Sequence, residues 1–90
     1  MPGKSEGRLR VLYFAALRER LGRAEEMVDW PASGGTVAQL CRQLAARHGD
    51  LAALFTAAEL KVAVNQHYAA PDTPVRPGDE VALFPPVTGG

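Results

Sequence analysis

The stretch Thr36-Val37-Ala38-Gln39-Leu40-Cys41-Arg42-Gln43-Leu44-Ala45-Ala46-Arg47-His48-Gly49 decides the fold. Thr36 followed three residues later by Gln39 has the spacing of a capping box, in which each side chain satisfies a backbone donor that the first helical turn leaves free. Val37, Leu40, Cys41, Leu44 and His48 recur at offsets of three and four, so one apolar stripe runs down a helix that ends at Gly49. A one-sided stripe needs an apolar surface to lie on, and the flanking segments read as the strands of a sheet.

Upstream, Leu9, Val11 and Tyr13 alternate with Arg10, Leu12 and Phe14, the period of two expected of a strand. Ala16 to Leu21 reads as a short helix closed by Gly22, a residue suited to the left-handed conformation that stops helices. A second strand follows, with Glu26, Val28 and Trp30 on one face and Glu25, Met27 and Asp29 on the other, until Pro31 ends it. Ala32 to Gly35 is a small-residue turn leading to the capping box.

Downstream, Leu51 to Ala58 is apolar without a clear period and reads only as a helical turn or packed loop. Leu60, Val62 and Val64 alternate with Lys61 and Ala63, and Asn65-Gln66 offers a tight turn into a short strand at His67 and Tyr68. Pro77-Gly78 suits the centre of a type II turn, and Val81 to Phe84 forms the last strand. The predicted order is β, β, α, β, β, β. A β-grasp, a mixed sheet of about five strands packed on one main helix, is one of several α+β folds compatible with it. If Leu9, Val11 and Tyr13 face the helix, then Leu12 and Phe14 point to the opposite side, as Ala82 and Phe84 do from the last strand. Tyr68 is expected to join them in a partner-binding patch.

Ninety residues close a single modest core and leave no room for a large internal active site. Residues 1–7 read as a disordered N-terminal tail, 8–84 as the domain and 85–90 as a protruding C-terminal tail. Ten basic residues balance ten acidic ones, which gives the whole molecule no electrostatic reason to seek nucleic acid or an anionic membrane. No window reaches the length of a membrane span, and a lone Cys41 cannot form an internal disulfide, so a cytoplasmic location is expected. Cys41 sits on the helix stripe and reads as a core thiol. His48 and His67 have no partner at a ligand spacing, so no metal site is expected. Arg18, Arg20 and Arg23 read as a solvated cluster. No Ser/His/Asp set or carboxylate pair suggests autonomous catalysis.

The chain ends Phe84-Pro85-Pro86-Val87-Thr88-Gly89-Gly90. Two prolines lack amide donors and favour an extended conformation, so the tail is expected to leave the sheet as a stiff stalk. Residues after Phe84 could reach about 20 Å, far enough to enter another protein. Gly89 and Gly90 carry no side chains, so they can thread a narrow channel and leave the terminal carbonyl open to attack. The Gly90 carboxyl is ionised at neutral pH and able to attack the α-phosphate of a nucleotide. A sulfur nucleophile could then convert the resulting anhydride to a thiocarboxylate.

At this point the sequence resembles the small subunit of molybdopterin synthase, the MoaD-type sulfur carriers with a ubiquitin-like β-grasp. The run Gly78-Asp79-Glu80-Val81-Ala82-Leu83-Phe84-Pro85-Pro86-Val87-Thr88-Gly89-Gly90 is similar to that family's ending almost throughout. Val11-Leu12-Tyr13-Phe14-Ala15 with Arg18-Glu19, and Val62-Ala63-Val64-Asn65-Gln66, add support. The resemblance implies that Gly90 is adenylated, with ATP, by a partner related to ubiquitin-activating enzymes, and is then thiocarboxylated with sulfur from a sulfurtransferase. It further implies docking on the large synthase subunit, which supplies the catalytic side chains, and sulfur donation to cyclic pyranopterin monophosphate to form the molybdopterin dithiolene. The interface implied comprises Phe14, Tyr68, Phe84, Pro85, Pro86, Val87 and Thr88, with no cofactor bound to the carrier itself. A carrier for thiazole synthesis and a ubiquitin-like protein modifier are the alternative readings. The turn at Ala32 to Gly35 is longer than is common in the family, and residues 1–7 look like an addition.

Overall fold

The computed structural model describes residues 7–86. The expected N-terminal tail up to residue 6 and the tail residues Val87, Thr88, Gly89 and Gly90 lie outside the described residues.

Strand β1 (Gly7–Tyr13) leads into helix α1 (Ala15–Leu21) and strand β2 (Glu25–Trp30). A two-residue strand β3 (Gly35–Thr36) runs directly into helix α2 (Val37–Arg47), which is followed by a 3-10 turn at Gly49–Leu51 and a short helix α3 (Ala52–Thr56). Strands β4 (Lys61–Val64), β5 (His67–Ala69), β6 (Pro74–Val75) and β7 (Glu80–Phe84) complete the chain. Five strands form one sheet in the order β2-β1-β7-β4-β5, with β1 and β7 parallel at the centre and every other pair antiparallel. First and last strands side by side, with a helix crossing one face, define a ubiquitin-like β-grasp.

Local chemistry sets these elements where the sequence predicts them. Thr36 accepts from the Gln39 amide at 3.2 Å while the Gln39 side chain accepts from the Thr36 amide at 2.8 Å, the capping box in full. Two further donors of the first turn are met by a passing loop: the Val37 amide donates to Thr73 C=O and the Ala38 amide to Pro71 C=O, at 3.0 and 2.9 Å. Gly22, at φ 73°, ends α1 in the left-handed conformation, its amide donating to Arg18 C=O. Asn65 and Gln66 both have positive φ, 50° and 72°, as a primed two-residue hairpin turn requires. Gly78 takes φ 94° after Pro77, and the Asp79 amide closes that turn on Arg76 C=O at 3.0 Å.

The core lies between the sheet and α2. Leu9, Val11 and Tyr13 from β1, Val28 and Trp30 from β2 and Val81 and Leu83 from β7 meet Val37, Leu40 and Leu44 of the helix stripe, all essentially inaccessible. Cys41 is buried with them, as expected. The Trp30 indole donates to Val75 C=O at 2.9 Å, so the largest core side chain keeps its polar atom satisfied while tying β2 to β6.

Three features differ from the sequence reading. The first strand begins at Gly7, a residue that the sequence assigns to the N-terminal tail and that pairs with Trp30. The Leu51 to Ala58 stretch holds a true helix, α3, which buries Phe55. The pair β3–β6 makes a second sheet, registering Gly35 with Val75 and Thr36 with Pro74, from segments too short to show any period.

Candidate functional site: the outer face at the root of the tail

The side of the sheet away from α2 divides into two halves. Towards the N-terminal end of β1 it carries the ion pairs Arg8–Asp29 (3.4 Å) and Arg10–Glu25 (2.8 Å), both exposed. Towards the C-terminal end of β7 it is aromatic. The parallel register pairs Leu12 with Ala82 and Tyr13 with Leu83, and the Phe14 amide extends it by donating to Leu83 C=O at 3.3 Å. Phe14 and Phe84 thereby become neighbours, and their rings stack with centroids 4.6 Å apart and planes 10° from parallel. Tyr68 meets the edge of Phe84 at 6.4 Å. Phe14 and Phe84, expected on one face from parity, and Tyr68, expected to join them, are thus brought together.

Exposure shows what this cluster lacks. Phe14 remains 37% and Tyr68 77% exposed, although aromatic side chains are ordinarily buried. One row of the sheet runs Leu12, Ala82, Ala63, Tyr68 across β1, β7, β4 and β5. The two alanines at its centre floor a shallow cleft of about 310 Å³ walled by Leu12, Phe14, Tyr68 and Phe84, with Glu80 and Gln66 at its margin. Parity already places Ala82 on this face, but the hollow forms only because the register sets Ala63 beside it.

The chain leaves the domain beside this cleft. Phe84 is half-buried, Pro85 buried and Pro86 exposed. Of the two prolines assigned to a partner interface, only Pro86 presents surface in the isolated chain. Pro85, expected from sequence to begin the protruding tail, is packed into the domain.

No alternative centre competes with this face among the described residues. Glu26 is the most connected carboxylate: the Tyr13 hydroxyl donates to it at 2.7 Å, Arg47 at 2.8 Å, and His48 Nε2 lies 2.9 Å away. Burial works to raise its pKa, but the hydrogen bonds from Tyr13, His48 and Arg47 outweigh burial and hold the carboxyl at about 2. Burial first, and the Glu26 carboxylate second, push the Tyr13 phenol far above its ordinary value. This network joins β1, β2 and the end of α2. A separate cleft of about 380 Å³ between α2, α3 and β4 is lined mainly by apolar side chains, and burial pushes up the pKa of the Cys41 thiol that borders it. A raised pKa leaves a thiol inert. Among the described residues no group of His, Cys, Asp and Glu is arranged to hold a metal ion, and no helix is long and apolar enough to cross a membrane.

A β-grasp domain with an exposed aromatic cleft on the outer face of its sheet has the architecture of the ubiquitin-like proteins. Comparison with known proteins narrows the class. Residues 11–90 match the family model described as the ThiS family. The molybdopterin synthase sulfur carrier subunit of Escherichia coli is 42% identical over 84 residues, covering 91% of this chain and 99% of that protein. Among solved structures, SAMP1 from Haloferax volcanii, a small archaeal modifier protein, superposes with a TM-score of 0.78 at 32% identity, covering 93% of this chain and 100% of that one. The putative molybdopterin converting factor subunit 1 from Pyrococcus furiosus gives 0.74 at 31% identity, covering 90% and 99%. The chain belongs to the ThiS family, and within it is similar to the sulfur carrier subunits of molybdopterin synthase.

Proposed function

We propose that this protein is the sulfur carrier of a cytoplasmic molybdopterin synthase, with the carboxyl of Gly90 as its working group. The observation that carries this reading is the similarity to the E. coli carrier along nearly the whole of both chains. The exposed aromatic cleft where the tail departs supports it, since a protein whose chain end works inside another must dock there firmly.

The chemistry follows from an acyl end without side chains. A Gly90 carboxylate oxygen attacks the α-phosphorus of ATP on an adenylyltransferase, and pyrophosphate leaves. A sulfur nucleophile at the oxidation level of sulfide, supplied through a sulfurtransferase, attacks the carbonyl carbon; a C–S bond forms, the C–O bond of the anhydride breaks and AMP leaves. On the large synthase subunit the thiocarboxylate sulfur attacks a carbon of cyclic pyranopterin monophosphate and displaces an oxygen there, forming an acyl thioester; water then attacks the acyl carbon, the acyl C–S bond breaks, the sulfur stays on the pterin and Gly90 returns to the carboxylate. Two carriers supply the two sulfurs of the dithiolene. The carrier positions its tail and binds no cofactor of its own, and ATP is consumed on the activating partner.

The test is intact mass after incubation with ATP, the adenylyltransferase and a sulfur donor. One oxygen should be replaced by one sulfur, and deletion of Gly90 should abolish both this change and sulfur transfer with no shift in thermal midpoint. Full activity of the deletion variant would refute the mechanism. The similarity to SAMP1 favours a second reading, conjugation of Gly90 to lysines of other proteins, which the same experiment would reveal as higher-mass conjugates. A carrier for thiazole synthesis would be thiocarboxylated alike but retain a thiazole-forming synthase, rather than the large synthase subunit, on co-purification.

A further inference from the structure

Ala15 has φ 51°, in the left-handed region that an L-residue with a Cβ avoids. The other non-glycine residues with positive φ among those described are Asn65 and Gln66, whose hairpin turn requires it. Ala15 lies in no hairpin. It sits where β1 gives way to α1, and its neighbour Phe14 is engaged on both sides. The Phe14 amide donates to Leu83 C=O, while its carbonyl accepts from the Leu17 amide at 3.2 Å and the Arg18 amide at 3.4 Å. Phe14 itself stays extended, at φ −126° and ψ 160°, and no side chain caps the helix. The whole reversal from strand to helix is therefore taken up at Ala15. Were it shared with Phe14, the strand would end a residue earlier and the Phe14 ring would leave the row it shares with Phe84.

We infer that the left-handed backbone of Ala15 is a positioning element: it holds the Phe14 ring over Phe84, so that the docking surface at the root of the tail is formed before a partner arrives. Strain retained at one residue while neighbouring residues are hydrogen-bonded is a feature of functional sites. The benefit here is a surface that need not be ordered on binding. Ala15 touches no reacting group; its effect passes entirely through Phe14. The role in docking rests on the carrier reading above, whereas the role in ring placement does not.

The test compares Ala15→Gly and Ala15→Asn, which accept positive φ, with Ala15→Val, which resists it. Ring-proton chemical shifts of Phe14 and Phe84 report the stack in the free protein, and calorimetric titration with the large synthase subunit reports docking. Gly and Asn should keep the upfield ring shifts and bind within about twofold of the parent, while Val should lose the shifts and bind about tenfold more weakly at a temperature where it remains folded. A folded Val variant with parental shifts and affinity would overturn the inference. In the parent chain the Ala15 amide-to-Hα coupling should be that of a left-handed residue, and a right-handed value would overturn it without any variant. If the parent does not bind the large subunit, the functional reading fails, and the ring shifts still decide the placement.

Discussion

The two faces of the central sheet are built from the same strands, residue by residue in alternation, and are used in opposite ways. On the helix side Leu9, Val11, Val28, Val81 and Leu83 are wholly inaccessible. On the outer side of the same sheet the rings of Phe14, Tyr68 and Phe84 stay partly in water around a hollow. Nothing in strand propensity separates Leu83 from Phe84, since either fits a pleated surface. What separates them is the layer opposite. Leu83 has α2 and its stripe above it, while Phe84 has only its neighbours Phe14 and Tyr68. Apolar area that is buried stabilises the domain, and apolar area left uncovered contributes little until something covers it.

Adjacent substitutions on β7 should expose that contrast most strongly. Leu83→Ala removes a fully buried side chain from the core and is expected to cost roughly 2–5 kcal/mol, read as a large fall in the urea midpoint. The molecules that remain folded should still bind the large synthase subunit with parental affinity. Phe84→Ala should do the reverse, weakening partner binding with a much smaller change in midpoint. If Phe84→Ala is as destabilising as Leu83→Ala and leaves binding unchanged, the outer face is a second core.

Glu26 qualifies the comparison, because it is a charged residue on the helix side. Its carboxyl titrates at about 2 when folded against an ordinary 4.5, so the folded state favours the ionised form. A depressed carboxylate contributes stability that is fully present above pH 4.5 and is lost as pH falls from there through about 2. Glu26→Gln should therefore lower stability by on the order of 2 kcal/mol at neutral pH, with the gap to the parent closing across that acid window. A gap that stays constant from neutral pH to pH 2 would show that Glu26 acts through packing alone.

The elements readable from sequence are those with enough residues to display a period. The stripe from Val37 to Leu44, the alternation from Leu9 to Phe14 and the Asn65-Gln66 turn all took the predicted form, because each is fixed by contacts within a few residues or by a whole face turned to the core. Strands β3 and β6, two residues each, and helix α3, five residues, depend on what passes beside them and leave no such pattern. The site divides similarly. Parity along the strands puts Phe14 and Phe84 on one face, whereas Tyr68 is assigned to it by the family resemblance. The Glu26 network could not be read, since Arg47 and His48 reach it from the end of a helix 21 and 22 residues away in sequence. The strain at Ala15 was equally hidden, for alanine has no preference for the conformation it holds.

The alanine floor allows the finest distinction between the two faces. Ala82 is 7% exposed, close to the core residue Val62 at 6%, yet it lies on the outer side, shaded by the aromatic walls of the cleft. Burial by shading leaves open space above the methyl group, and burial in the core does not. Ala82→Leu should accordingly fit without strain, changing stability by less than about 1 kcal/mol, whereas extra methylenes in a packed core typically cost more. The new side chain would occupy the hollow that an incoming apolar group is to enter, so affinity for the large synthase subunit should fall about tenfold by calorimetric titration while the thermal midpoint holds. Unchanged affinity would mean that a partner grips the aromatic walls and leaves the floor untouched; a large drop in midpoint would mean that the cleft closes in solution and Ala82 belongs with the core.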